Sequence, residues 1–146
     1  MRVLIAIDDS KFSQEALCRV AKQIRPQGSE IRILHVVQPI AMIPIPQMDA
    51  RYAPEIQRQV EEARGLVERA ALALRDSGFK VETAVEKGDI RVTIVDTAAE
   101  WPADLIVVGS HGRTGLPRLL LGSVAEFVAR NAPCSVEIVR TLTQKP

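Results

Sequence analysis

The sequence predicts an α/β fold, a five-stranded parallel sheet in a doubly wound open sandwich with helices on both faces. Three observations lead there. Short apolar runs bounded by charge or turn residues alternate with stretches whose apolar residues recur at three- and four-residue spacing. The runs are continuous rather than alternating, which is the pattern of strands buried on both faces of a parallel sheet. Parallel neighbours need crossover helices, so strand–helix alternation covers the sheet on both sides. At 146 residues, a chain buries roughly 68–70% of the surface its unfolded form exposes, enough for one core.

Val3-Leu4-Ile5-Ala6-Ile7 is the first strand. Ser10 reads as the cap of a helix whose inner face is Phe12, Ala16, Leu17, Val20, Ala21 and Ile24, stopped by Pro26 and Gly28. Ile31 to Val37, rich in branched residues, is the second strand. Residues 38–54 then break the rhythm, with Pro39, Pro44, Pro46 and Pro54 among Ile40, Met42, Ile43, Ile45 and Met48. A connection this long inside a compact domain is usually functional or mobile. We read it as a mobile flap on a single domain spanning 1–146. Ile56, Val60, Ala63, Val67, Ala70, Ala71 and Leu74 mark a long amphipathic helix that leaves at Gly78. Val81 to Val85 is the third strand, and Asp89 caps a helix with Val92, Val95 and Ala99 inward, ended by Trp101-Pro102. Asp104 to Val108 is the fourth strand. A helix over about 123–131 and a strand from Ser135 to Val139 complete the chain.

Composition excludes several functions. Nineteen basic residues against eighteen acidic leave a net charge of +1, without the Lys/Arg block that neutralises a polyanion. Three Phe, one Tyr and one Trp give no platform for stacking single-stranded bases. Nucleic acid is therefore not the expected partner. Cys18 and Cys134 match no CxxC spacing and read as two reduced thiols. The opening MRVLIAIDDS is too short in apolar residues for a signal peptide, and no stretch approaches the ~18 apolar residues that span a bilayer. The expectation is a soluble, cytoplasmic protein without membrane contact.

Ligands of such sheets bind beyond the carboxyl ends of the strands, where the strand order reverses. That singles out Asp8-Asp9-Ser10 and the segment after Val108. There, GSHGRTGLPRLLLGS (109–123) holds four of the chain's eight glycines: Gly109, Gly112, Gly115 and Gly122. Glycines allow backbone angles and close approaches that a Cβ forbids, so main-chain N–H groups can face a ligand. Ser123-Val124-Ala125-Glu126 reads as a capping box opening a helix with free N–H groups and a positive dipole end. Together these make an anion site, most naturally for phosphate. The lysine-bearing GxxxxGK[ST] loop is missing, and no GxGxxG follows the first strand. Asp8 stands there instead; a carboxylate repels phosphate but accepts hydrogen bonds from ribose hydroxyls. The pose puts sugar near the first strand and phosphates near residues 112–124.

The chain resembles the universal stress protein family, in its ATP-binding branch, over nearly its whole length. The resemblance lies in VLIAIDDS, LHVV, ADLIVVGSHGRTGL and LLLGSVAEFVARNAPCSVEIVR. The family's signature G-x2-G-x9-G-[S/T] is met at Gly109, Gly112, Gly122 and Ser123. The resemblance implies an adenine nucleotide α-hydrolase-like, Rossmann-like fold. It implies that Asp8 contacts ribose, that main chain around Ala6 and Val36 lines the adenine pocket, and that Gly109 lies against the sugar. It further implies that Gly112, Gly122, Ser123 and Val124 hold phosphates through backbone amides and the serine hydroxyl. ATP, accompanied in some members by a divalent ion such as Mg²⁺, and a homodimer through the last strand, Ser135 to Val139, are implied likewise. The sequence departs from the family at Asp9, usually glycine, at Pro117, and at Glu137, usually apolar.

Other residues carry two readings each. His35 and His111, the only histidines, lack an obvious third carboxylate ligand and argue against a metal site; His35 is expected at a strand edge. Ser110-His111 is not expected to pair as nucleophile and base, because neighbours in extended backbone point apart. Arg113 and Arg118 reach phosphate or are simply solvated. The favoured function is a nucleotide-dependent stress regulator or sensor, and the alternative is a slow ATP-hydrolysing enzyme without a dedicated base or lysine. A phospho-receiver reading fails: it needs an aspartate ending the third strand and a lysine ending the fifth, where Glu86-Lys87 and Arg140 stand.

Overall fold

The structure is a computed structural model that describes residues 1–39, 46–112 and 120–140, with 46–52 described by backbone path alone. Five strands, β1 (Arg2–Ala6), β2 (Glu30–Val37), β3 (Lys80–Lys87), β4 (Leu105–Gly109) and β5 (Ser135–Val139), form one sheet in the order β3-β2-β1-β4-β5. Every pairing is parallel, with Val3 beside Ile31 on one flank and Leu105 on the other. The strand order reverses at β1, so the crevice between β1 and β4 opens beyond their carboxyl ends.

Helices α1 (Lys11–Gln23) and α2 (Pro46–Asp76) cover one face, and α3 (Ile90–Glu100) and α4 (Ser123–Asn131) cover the other. Alternate residues of each strand feed the two cores. Val3, Ile5, Ile31, Ile33 and Val107 pack against Ala16, Val20, Val67, Ala71 and Leu74. Leu4, Leu34, Val36, Ile106 and Val108 pack against Ile94, Ala98, Ala125 and Val128. This double burial explains why the strands read as unbroken apolar runs. Gly78, at φ +92°, turns the chain out of α2, and its N–H donates to the Arg75 carbonyl at 2.8 Å.

Two expectations about helix starts need correction. Ser10 stands at the α1 cap position, but its hydroxyl makes no capping bond and is buried without a partner among the described residues. Asp8 Oδ1 supplies a local anchor instead, accepting from the Ser10 N–H at 2.8 Å. Second, α2 starts at Pro46, so the later part of the 38–54 stretch is helical rather than irregular. Proline is well placed at a first helical position, where its missing N–H has no intrahelical partner to lose. Pro54 lies inside the helix on an exposed position, so its lost bond faces water, and Arg58 pairs with both Glu55 and Glu62 just downstream. Ile40, Met42, Ile43, Pro44 and Ile45 lie outside the described residues, as does the Met48 side chain.

At the amino ends of the strands the polar groups satisfy one another. Asp104 Oδ2 accepts from the Arg2 N–H at 2.7 Å, and Arg32 donates twice to Glu82 Oε1, at 2.9 and 3.1 Å. Glu30 faces Lys80 at 3.5 Å and Arg2 at 3.9 Å. Trp101, 9% exposed, lies under the guanidinium groups of Arg32 and Arg2, 4.6 and 5.7 Å from its ring centre. Glu137 is half-buried on β5, one of the two edge strands, paired in register with Val107.

Candidate functional site

A crevice of about 830 Å³ opens at the carboxyl ends of β1, β2 and β4, within the 300–1,000 Å³ range of small-molecule sites. All eight residues singled out by the sequence border it: Ala6, Asp8, Val36, Gly109, Gly112, Gly122, Ser123 and Val124.

Asp8 is fixed by three short bonds. Its Oδ1 accepts from the Ser10 N–H at 2.8 Å and from the Ser13 hydroxyl at 3.0 Å, and its own N–H donates to Ser13 Oγ at 2.8 Å. Ser13 is buried and polar, and sequence reading passed over it; its place one turn into α1, five residues after Asp8, was the available signal. These bonds leave Oδ2 with no hydrogen bond among the described residues, toward Gly112, where a Cβ would sit 3.3 Å from it.

Upstream, Ile7 is tied to β2 from both sides. Its N–H donates to the Leu34 carbonyl at 2.9 Å, and its carbonyl accepts from His35 Nδ1 at 2.7 Å. A carbonyl can only accept, so Nδ1 carries the proton and the neutral ring has a bare Nε2. His35 therefore sits on an interior strand bordering the crevice, not at the strand edge expected for it. The α2 side of the crevice was also missed: Arg58, Gln59, Glu62 and Arg69 border it. The Arg58 guanidinium hydrogen-bonds to Glu55 and holds that carboxyl below the usual range.

The glycines act by closeness, not by left-handed backbone. None of Gly109, Gly112 and Gly122 has positive φ. A Cβ on Gly109 would lie 2.7 Å from Phe12 Cβ, and one on Gly122 would lie 2.8 Å from the Ser110 carbonyl oxygen. Gly122 pays out its own N–H to that same oxygen at 2.8 Å, so its amide is not open to a ligand. The expected capping box is also absent: Gly122 is the cap residue, Ser123 is the first residue of α4, and Glu126 pairs forward with Arg130 at 3.1 Å. The first helical acceptor bond runs from Glu126 N–H to the Gly122 carbonyl at 3.0 Å. The N–H groups of Ser123, Val124 and Ala125 precede it and have no partner within the helix. All three residues border the crevice, with the positive dipole end of α4 behind them.

Ser110 and His111 do meet, against expectation. Ser110 Oγ and His111 Nδ1 are 3.0 Å apart, and Nε2 bonds to the Leu120 carbonyl. The period-two rule fails because β4 ends at Gly109 and the chain bends at Ser110. Among the described residues no group of three or more His, Cys, Asp or Glu could hold a metal ion, and no helix is long and apolar enough to cross a membrane. Arg113, Gly115, Pro117 and Arg118 lie outside the described residues.

Known proteins share this fold. The chain is 33% identical over 145 residues to universal stress protein YxiE of Bacillus subtilis, covering 95% of this chain and 98% of that one. The solved structure of MJ0577, a universal stress protein of Methanocaldococcus jannaschii, superposes with a TM-score of 0.87 at 29% identity, covering 98% of this chain and 97% of that one. A universal stress protein solved in complex with cAMP matches with a TM-score of 0.63 at 25% identity, over 95% of each chain. The universal stress protein family model matches residues 1–140, and the chain belongs to that family.

Proposed function

We propose that this protein binds an adenine nucleotide, ATP in the first place, and that occupancy of the crevice makes it a nucleotide-dependent regulator in a stress response. The observation that carries the reading is the pairing of two unlike groups across one opening: Asp8 Oδ2 on β1's side and, on α4's side, the N–H groups of Ser123, Val124 and Ala125, which have no acceptor within the helix. A carboxylate oxygen accepts from ribose hydroxyls, and a helix start draws phosphate. Ala6 and Val36, with Ile90 and Ile94 from α3, line an apolar side of the crevice suited to adenine. The cAMP complex of a family member supports the ligand class. Mg²⁺ usually keeps water and phosphate ligands, so a Mg²⁺ arriving with ATP would be held mainly by the phosphates, with the Ser123 hydroxyl the protein oxygen on the α4 side.

β5 is an edge strand, with Val136 and Ile138 half-buried, and a second copy pairs along Ser135–Val139 to give a homodimer in the cytoplasm.

ATP with Mg²⁺ at a hundredfold excess over Kd stabilises the folded chain by about 2.7 kcal/mol, a rise in Tm of about 5–10 °C at this size. Gly122→Glu removes that rise, because its Cβ would meet the Ser110 carbonyl oxygen at 2.8 Å and force the start of α4 to shift, while a negative charge is added beside the crevice. Absence of any rise at millimolar ATP in the unsubstituted protein rejects the proposal, and a rise retained in a folded Gly122→Glu protein puts the phosphates elsewhere.

A further inference from the structure

The chain leaves β4 at Gly109 and starts α4 at Ser123, and one imidazole braces the two ends of the segment between them. His111 Nε2 bonds to the Leu120 carbonyl, nine residues on, while Nδ1 lies 3.0 Å from Ser110 Oγ. The carbonyl has no proton to give, so Nε2–H is the donor there. Nδ1 is then bare in the neutral ring and accepts from the Ser110 hydroxyl. One tautomer satisfies both bonds. Ser110 is itself fixed, 1% exposed, with its N–H donating to the Val139 carbonyl at 2.9 Å at the end of β5. The Phe12 ring lies against the imidazole, with ring centres 5.2 Å apart.

Two rungs therefore cross this segment. The first runs from Gly122 N–H to the Ser110 carbonyl at 2.8 Å, and the second from His111 to Leu120. Ala125 and Val128 hold the body of α4 in the core, and the first rung ties its cap residue to the end of β4. The second, two residues upstream, holds the chain entering the cap, and so bears on how the first turn of α4, with the Ser123, Val124 and Ala125 N–H groups, is presented to the crevice. Preorganised donors are worth more than donors that must be gathered when the ligand arrives.

We propose that His111 is the positioning residue of the phosphate subsite, a clasp between Ser110 and Leu120 that orients the amides opening α4 without itself being a ligand. For its ligand the inference rests on the nucleotide reading above; for its geometry it does not. Adenosine and ATP share base and sugar and differ in phosphate, so they separate positioning of the amides from general damage.

His111→Ala is expected to weaken ATP about tenfold, the lower end of what loss of an orienting partner costs, while the Kd for adenosine changes less than about twofold. In His111→Gln the terminal amide N–H can still reach the Leu120 carbonyl, and ATP affinity recovers most of the loss. Equal weakening of adenosine and ATP, or no recovery in the glutamine variant, overturns the proposal. Amide hydrogen exchange in ligand-free protein tests the clasp alone. Protection of the Gly122 N–H is expected to fall in His111→Ala and return in His111→Gln, and unchanged protection overturns the proposal even if ATP binds. If no variant and no parent binds nucleotide, the exchange result still decides the clasp while the functional reading falls. If His111→Ala does not fold, Ser110→Ala takes its place, removing the hydroxyl donor with the same two readouts and the same direction expected.

Discussion

The two ends of the sheet differ in what they leave over. At the amino ends of the strands, Arg2 meets Asp104 and Glu30, Lys80 meets Glu30, Arg32 meets Glu82, and Trp101 lies beneath two guanidinium groups. At the carboxyl ends, among the described residues, Asp8 Oδ2 makes no hydrogen bond, three amides at the start of α4 have no helical acceptor, and Arg69 has no ion-pair partner. Both ends are similarly rich in polar groups. Only the carboxyl end leaves some of them without a partner around a cavity among the described residues, so a count of charges does not locate a site, whereas unmet hydrogen-bonding capacity around an opening does.

If that contrast is right, stability and binding separate by location. The largest effect is expected at the closed end. Trp101→Ala should cost about 3–5 kcal/mol of unfolding free energy in a denaturant melt, with ATP affinity of the folded fraction unchanged. A large loss of affinity there would break the contrast. Next, Gly109→Ala forces a Cβ to 2.7 Å from Phe12 Cβ, and overpacking of this kind costs about 1–3 kcal/mol. It should lower Tm and, because Phe12 also touches His111, weaken nucleotide at the same time. Asp8→Asn keeps an oxygen to accept from Ser10 and Ser13 but turns Oδ2 into a donor. Stability should move by less than about 1 kcal/mol, while adenosine binding, read by calorimetry, falls about tenfold or more, as expected for a lost bond to a charged acceptor.

The smallest effect is chemical. Burial raises the Cys134 thiol pKa, and the Asp104 carboxylate beside it adds to the rise. Only the thiolate is alkylated, so at a given pH a raised pKa means slower reaction. Cys18, exposed on α1, should react first with iodoacetamide, and Cys134 should catch up as pH rises; mass spectrometry resolves the order.

How much of this was legible in the sequence depended on whether the deciding contact was local. Strand positions were readable because Val3, Ile5, Leu34 and Val107 announce double burial by their type alone. That the eight proposed site residues border one crevice was readable because turn chemistry and strand ends place them, and a family signature reinforced the spacing. The start of α2 was not: Pro54 reads as a breaker, and only its exposure and the Glu55–Arg58–Glu62 pairing show why the helix tolerates it. Nor were the uses of Gly122 and Ser123, since whether an amide is free depends on the Ser110 carbonyl across the loop. His35 and His111 were misjudged for the same reason. Each owes its position to a carbonyl, of Ile7 or Leu120, that no local pattern points to.

The length of α2 has a mechanical consequence. Thirty-one helical residues reach roughly 46 Å, whereas an eight-residue strand such as β2 reaches roughly 26 Å. Val67, Ala70, Ala71 and Leu74 bolt the far half of the rod into the core, and Arg58 and Glu62 ride on the half that overhangs the crevice. A rotation of about five degrees at the bolted half would sweep the tip by about 2 Å, so small changes under the overhang can become displacements on the outer surface large enough for another molecule to distinguish.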